Sequence, residues 1–194
     1  MRVIRPIVGH RIECFDGPTE AITPELLDAV VGPVDQNKLR ILASTFFIEN
    51  TLDSILEFFF YGDDPSNKER KLKFSALVLG SDWCSFSSKR RLVMHIINET
   101  GALKGAAKND YDKLLRDVMS ARNAFAHGSV STDGRRVKLA YFEGAPVTKF
   151  LDDEYFAALE ATLNRCFAVT QEVAFSTGAQ RLASFPERAE GNNP

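Results

Sequence analysis

Residues 35 to 61 read DQNKLRILASTFFIENTLDSILEFFFY, with apolar residues recurring at Leu39, Leu42, Phe46, Leu52, Leu56 and Phe60. That spacing is helical, and a helix of this length with an apolar stripe must lay the stripe against other helices. The feature pulls the whole chain toward a helical bundle. Asp35 is placed to cap the helix, and YGDDPSN ends it.

The rest of the chain supplies the partners. A helix is expected around 71–80. In FSSKRRLVMHIINETGAL, Ser87 or Ser88 can cap a helix carrying Leu92, Val93, Ile96 and Ile97, and Gly101 stops it. From the cap at Asn109 another helix carries Tyr111, Leu114, Leu115, Val118 and Phe125, and it ends at Gly128, which can take the left-handed conformation favoured there. RRVKLAYFEGAPVTKFL then shows two strand-like runs around a Glu-Gly-Ala-Pro turn, one β-hairpin at about 137–151. Asp152 caps a last long helix with Tyr155, Leu159, Leu163, Phe167, Thr170 and Ala174 on one stripe. Residues 1–34, with a short helix in TPELLDAVV between DGP and VGP, are read as an N-terminal extension packed on the bundle. The bundle spans 35–183, and the tail 184–194 has little to dock and is expected to fray. The fold class is all-α, a four- to five-helix bundle with one small β-hairpin before the last long helix.

An apolar content of 44% with 15 Phe can fill such a core. The net charge of −2 offers no global attraction to polyanions, so any such contact must come from local patches. KERKLK (68–73), KRR (89–91) and RRVK (135–138) are short, and each reads first as solvated surface charge. Cys14, Cys84 and Cys166 are widely separated and odd in number, which suggests neither a zinc knuckle nor a disulfide framework and fits a reducing, cytoplasmic setting. The N-terminus lacks a signal-length apolar run, and no stretch approaches a bilayer span, so no membrane partner is expected. None of the three His has acidic or Cys neighbours at ligand spacing, so no metal site is predicted, and no cofactor is implied. Phosphate-loop, nucleophile-elbow and dinucleotide-turn patterns are missing from the sequence, which removes support for ordinary NTPase, hydrolase and dehydrogenase readings.

One stretch resists a purely structural reading. In ARNAFAHGSV (121–130), Arg122 falls within roughly 40° of Val118, Leu115 and Tyr111 on a helical wheel, which centres a guanidinium on the packing face. Such a group cannot lose its proton, so it requires a carboxylate, a phosphate or a water-lined cleft. Glu49 lies within about 60° of Leu42, Phe46, Leu52 and Leu56 on the first long helix, and Asp53 is one turn further on. A Glu49–Arg122 ion pair is therefore expected, with Asp53 as second acceptor; it would either orient the arginine for chemistry or simply fix helix register. His127 is about 140° around from Arg122, on a stripe with Arg116, Ser120 and Asn123. The negative end of the helix dipole favours a protonated His there, which suits acid–base work, while the plainer role is a cap on free carbonyls.

These residues resemble the signature of the HEPN domains, all-helical bundles with an Arg, four to six intervening residues and a His near the end of a late helix. Here the match is Arg122, NAFA, His127, with Asn123 directly after the Arg. The longer frame, FSSKRRLVMHIINETGAL followed by DYDKLLRDVMSARNAFAHG, is similar in particular to the mannitol-operon repressor-like subset, where an RN-x-x-AH helix follows an FS-x-K helix. The resemblance covers roughly residues 35 to 175 and implies a homodimer whose two motif helices line a shared cleft. Active members are metal-independent endoribonucleases, often toxins or defence proteins with an antitoxin or regulatory partner. In them the ribose 2′-hydroxyl attacks phosphorus and leaves a 2′,3′-cyclic phosphate. Carried over by position, His127 would assist proton transfer, Arg122 would stabilise phosphate charge and Asn123 would hold the substrate or the His, with Glu49, Asp53, Ser120 and Arg116 in support. Some toxin members have a Tyr two residues after the His, where this chain has Ser129. Other members keep both motif residues and serve as regulators or nucleotide- or partner-binding modules.

Overall fold

Buried isoleucines set the packing of the first helix. α1 spans Pro24–Tyr61, and its buried apolar positions are Val34, Ile41, Ile48, Leu52, Ile55 and Leu56, while Leu39, Phe46 and Phe60 are exposed. The true stripe is thus rotated from the one drawn through Leu39 and Phe46. The helix also begins earlier than Asp35 and absorbs the TPELLDAVV segment, so the boundary expected at residue 34 falls inside it. Pro33 costs on the order of 3 kcal/mol within a helix, but six buried apolar side chains at about 1.5–3 kcal/mol each outweigh it.

The computed structural model describes residues 4–7, 10–14, 24–132 and 136–179. Five α-helices lie among them, and three strands of one small sheet lie between the last two: α2 is Lys68–Phe74, α3 Phe86–Thr100, α4 Gly105–His127 and α5 Asp153–Ser176. The fold class is therefore all-α with a small β element. A single 3-10 turn at Pro65–Asn67 precedes α2, and the expected helix at 71–80 is α2 continued by a π turn at Ser75–Leu79. The cap of α3 is Ser85, whose hydroxyl accepts from the Ser88 N–H, rather than Ser87 or Ser88. Gly101 closes α3 in the left-handed conformation at φ 71°. α4 starts at Gly105, four residues before Asn109, because Gly105 itself takes a positive φ and turns the chain into the helix. The tail 184–194 lies outside the described residues.

By compactness the chain divides into two units, one of Met1–Thr45 and Lys113–Arg165, the other of Phe46–Asp112 and Cys166–Pro194. The first unit holds the sheet, whose strands are β1 Ile4–Ile7, β2 His10–Cys14, β3 Ser129–Thr132, β4 Val137–Phe142 and β5 Pro146–Phe150, in that spatial order. The expected hairpin is the antiparallel β4–β5 pair, with Lys138 opposite Phe150 and Phe142 opposite Pro146. β3 joins it antiparallel, and β2 pairs parallel with β3, so the sheet exceeds a lone hairpin. The SVST strand escapes a pattern search because it is four residues long and abuts the helix end. Its Val130 and Thr132 are buried beside Val137 and Leu139, and the alternate positions face outward. Phe125 of α4 closes this core against the rings of Tyr155 and Phe156, at 6.4 and 6.3 Å between centroids. Asp152 caps α5 as expected, accepting from the Tyr155 N–H at 2.8 Å.

The second unit is a bundle of helical segments. Leu52, Ile55 and Leu56 of α1, Val93, Ile96 and Ile97 of α3, and Val173 and Ala174 of α5 are all buried. Tyr111 is buried too, and its hydroxyl donates to Thr170 Oγ1 at 3.1 Å, so its polar tip is satisfied inside an apolar core. Burial pushes its phenol well above the usual tyrosine range.

Candidate functional site

Arg122, Asn123 and His127 occupy the last two turns of α4, which stays helical through His127. Because the helix does not unwind before Gly128, Arg122 and His127 keep the separation of about 140° that a regular helix gives them. Within one chain they point to different sides. Arg122 is half-buried, whereas Asn123 and His127 are exposed. The Arg122 guanidinium donates to Asn123 Oδ1 at 3.2 Å. Among the described residues no carboxylate pairs with it, and the His127 imidazole makes neither a hydrogen bond nor an ion pair there.

Gly128 ends α4 without the left-handed conformation expected of it, since its φ is not positive. The need for glycine is steric. A Cβ there would meet Ala124 O at 2.4 Å, Leu139 Cδ1 at 2.8 Å and Ala140 O at 3.0 Å. Helix and strand β4 approach each other closely at this point, and β3 can start directly at Ser129. The motif is thereby fixed at the junction of a helix and a sheet.

Of the supporting residues on the His127 side, Arg116 is exposed and Ser120 is partly covered. Ser120 Oγ donates to Glu143 at the β4–β5 turn, which fastens the hairpin tip to α4 one turn from Asn123.

Glu49 and Asp53 do not serve Arg122. Their cation is Lys89 of α3, whose Nζ donates to Glu49 Oε1 at 2.9 Å and to Asp53 Oδ2 at 2.8 Å. The expected Glu49–Arg122 pair is thus replaced by a Lys89-centred cluster. The rotated stripe of α1 is the cause, because it places both carboxylates at the rim of the buried face, where α3 supplies the charge. The Lys89 side chain is only 6% exposed, and the two carboxylate side chains are 22% exposed. Burial raises the Asp53 carboxyl to about 6, against the hydrogen bond from Lys89 and helped by the negative charges of Glu49 and Glu57. Burial pulls the Lys89 ammonium down, but the bonds to Asp53 and Glu49 outweigh it and hold it charged. Asp53 Oδ1 is buried without a hydrogen-bond partner, so this carboxylate is the least satisfied member of the cluster. Cys84 lies close enough to feel these charges, and burial raises its thiol.

Lys89 was legible by the same test that singled out Arg122. It lies within roughly 40° of Val93 and Ile96 on its own wheel, but KRR reads first as surface charge. Arg90, the next residue, is paired with Asp112. Two of the three KRR cations are therefore partnered within the unit.

No group of three or more His, Cys, Asp or Glu is arranged to hold a metal among the described residues, and no described helix is long and apolar enough to cross a membrane. Compared with known proteins, the chain matches no family model, no curated protein and no solved structure.

Proposed function

We propose that the protein is a metal-independent endoribonuclease of the HEPN type, acting as a homodimer with Arg122, Asn123 and His127 as its reacting set. One observation carries this reading: among the described residues, Arg122 and His127 lack the architectural partners that would explain them. The carboxylates suited to neutralise Arg122 are taken by Lys89, and no carbonyl accepts from the His127 side chain among the described residues. A guanidinium held by a neutral Asn keeps its positive charge and spare donors for an anion. An exposed imidazole at a helix end is open to exchange protons with a ligand.

In the reaction the ribose 2′-hydroxyl loses its proton and its oxygen bonds to phosphorus. The bond from phosphorus to the 5′-oxygen breaks, and that oxygen takes up a proton. His127 assists these proton transfers, Arg122 stabilises the charge on the phosphoryl oxygens and Asn123 fixes the Arg122 fork. The wheel angle between Arg122 and His127 makes a dimer part of the proposal, since a second copy of α4 can bring His127 of one protomer to Arg122 of its partner. The cytoplasm is the proposed compartment, and an antitoxin or regulatory protein is the proposed means of restraint.

A second reading, a non-catalytic dimeric module that binds a nucleotide or a protein partner, is favoured by the Glu143 carboxylate at Ser120, which adds negative charge beside the His127 stripe. End-labelled single-stranded RNA incubated in EDTA decides between them. Fragments ending in cyclic phosphate from the wild type, lost in Arg122→Ala and His127→Ala, support the ribonuclease. A well-folded dimer that cleaves none of several RNAs favours the binding module.

A further inference from the structure

The outward face of the β3–β4–β5 sheet has a composition that folding alone does not require. Burial of Val130, Thr132, Val137 and Leu139 turns Lys138, Ala140 and Phe142 of β4 to the other side. Phe150 stands opposite Lys138 in the β4–β5 register and shares that side. Phe142 is 76% exposed and Phe150 43% exposed, an unusual placement for two large rings on one small sheet. The Arg136 guanidinium lies over the Phe150 ring at 4.5 Å from its centroid, and Lys138 Nζ is 5.8 Å from it. Between 136 and 150 the sequence holds three cations and a single carboxylate, Glu143, in a chain whose net charge is −2. That carboxylate is engaged by Ser120 at the hairpin tip.

We infer that this face is a binding platform for single-stranded RNA, with bases stacking on Phe142 and Phe150 and Lys138 pairing with a flanking phosphate. Exposed aromatics interleaved with cations on a sheet are the elements that such recognition uses: rings supply sequence-tolerant stacking, and cations track the backbone. The platform is continuous in sequence with the motif, since β3 begins two residues after His127. It gives Lys138, in a segment that reads first as solvated charge, a specific task. The inference rests on RNA being the ligand of the proposed reaction and adds where the strand is held.

The test is fluorescence anisotropy of a labelled single-stranded 2′-O-methyl oligoribonucleotide, which lacks the attacking hydroxyl, with the full-length chain. Phe142→Ala is expected to weaken binding roughly five- to a hundredfold, the usual range for losing one stacked base. Phe142→Trp should retain affinity within a few-fold. Lys138→Gln should lower the slope of log affinity against log salt by about 0.7, the contribution of one phosphate contact on a single strand. Thermal melts of the same variants should match the wild type, because Phe142 is exposed. Wild-type binding that is indifferent to Phe142→Ala and Phe150→Ala overturns the platform and leaves the ribonuclease proposal standing. Binding through Phe142 by a protein that cleaves no unmodified RNA sinks the ribonuclease proposal and leaves the platform. No binding by the wild type overturns the platform.

Discussion

Lys89 on α3 and Arg122 on α4 are each centred on the apolar stripe of their own helix, yet among the described residues two carboxylates close over the first and none over the second. A wheel cannot tell them apart. What separates them is the supply of partners, since a buried cation with two acceptors is settled architecture. A half-buried cation whose only side-chain partner among the described residues is a neutral amide still has charge to offer. The comparison teaches that a charge in an apolar stripe announces a constraint, and that only the neighbouring elements reveal whether the constraint is met within the fold or by a ligand.

The sharpest way to break the comparison is to remove each cation in turn. If the proposed ribonuclease reading holds, Arg122→Ala and His127→Ala are expected to lower the RNA cleavage rate by roughly 10²- to 10⁴-fold, the range for losing a positioned proton-transfer or charge-stabilising group, with melting temperatures close to wild type. Lys89→Met should do the reverse, costing about 3 kcal/mol of stability in urea titrations because it strands Glu49 and Asp53 at a buried rim. Its cleavage rate per folded molecule should be little changed. If Arg122→Ala unfolds the protein while Lys89→Met is tolerated, the two assignments are exchanged.

A smaller effect probes the junction that holds the motif. Gly128→Ala forces a methyl group against Ala124 O and Leu139 Cδ1, and it should destabilise by about 2 kcal/mol as the strand or helix end shifts. Because the strain arises beside His127, activity should fall further than the melting temperature alone accounts for.

The smallest effect concerns the pH response of the Lys89 cluster. The folded-state Asp53 carboxyl titrates near 6, above the unfolded value of roughly 4. Between those values the native state holds more protons than the unfolded one, so this group lowers stability as pH rises from about 4 to about 6, and the effect is flat above. Asp53→Asn should remove that slope. Subtracting the urea stability of the variant from that of the wild type across this window should reveal a change on the order of 1 kcal/mol. A difference that is constant with pH would show that Asp53 is fully satisfied by Lys89.

Much of the fold is legible in the sequence. Local signals sufficed for the α3 stop at Gly101, the α5 cap at Asp152 and the β4–β5 hairpin, because each depends on backbone conformation or near-neighbour hydrogen bonds. The face of α1 was misjudged because Leu39 and Phe46 are as apolar as Ile41 and Ile48, and apolarity alone does not choose between adjacent stripes. β3 was missed because four residues give too short an alternation. Of the candidate site, the sequence shows the stretch Arg122 to His127 but not its surroundings: Lys89 as owner of Glu49 and Asp53, and Glu143 accepting from Ser120.

By itself the sequence determined that this chain is helical, where most helices stop, and that ARNAFAH places charge where a core is being built. These properties follow from spacing and propensity along a few turns. Only the tertiary structure decided which carboxylates meet which cation, why residue 128 must be glycine and which rings face outward. Each of those depends on how segments far apart in the chain are rotated about their own axes, and a rotation of one residue, about 100° on a helix, exchanges a buried partner for an exposed one.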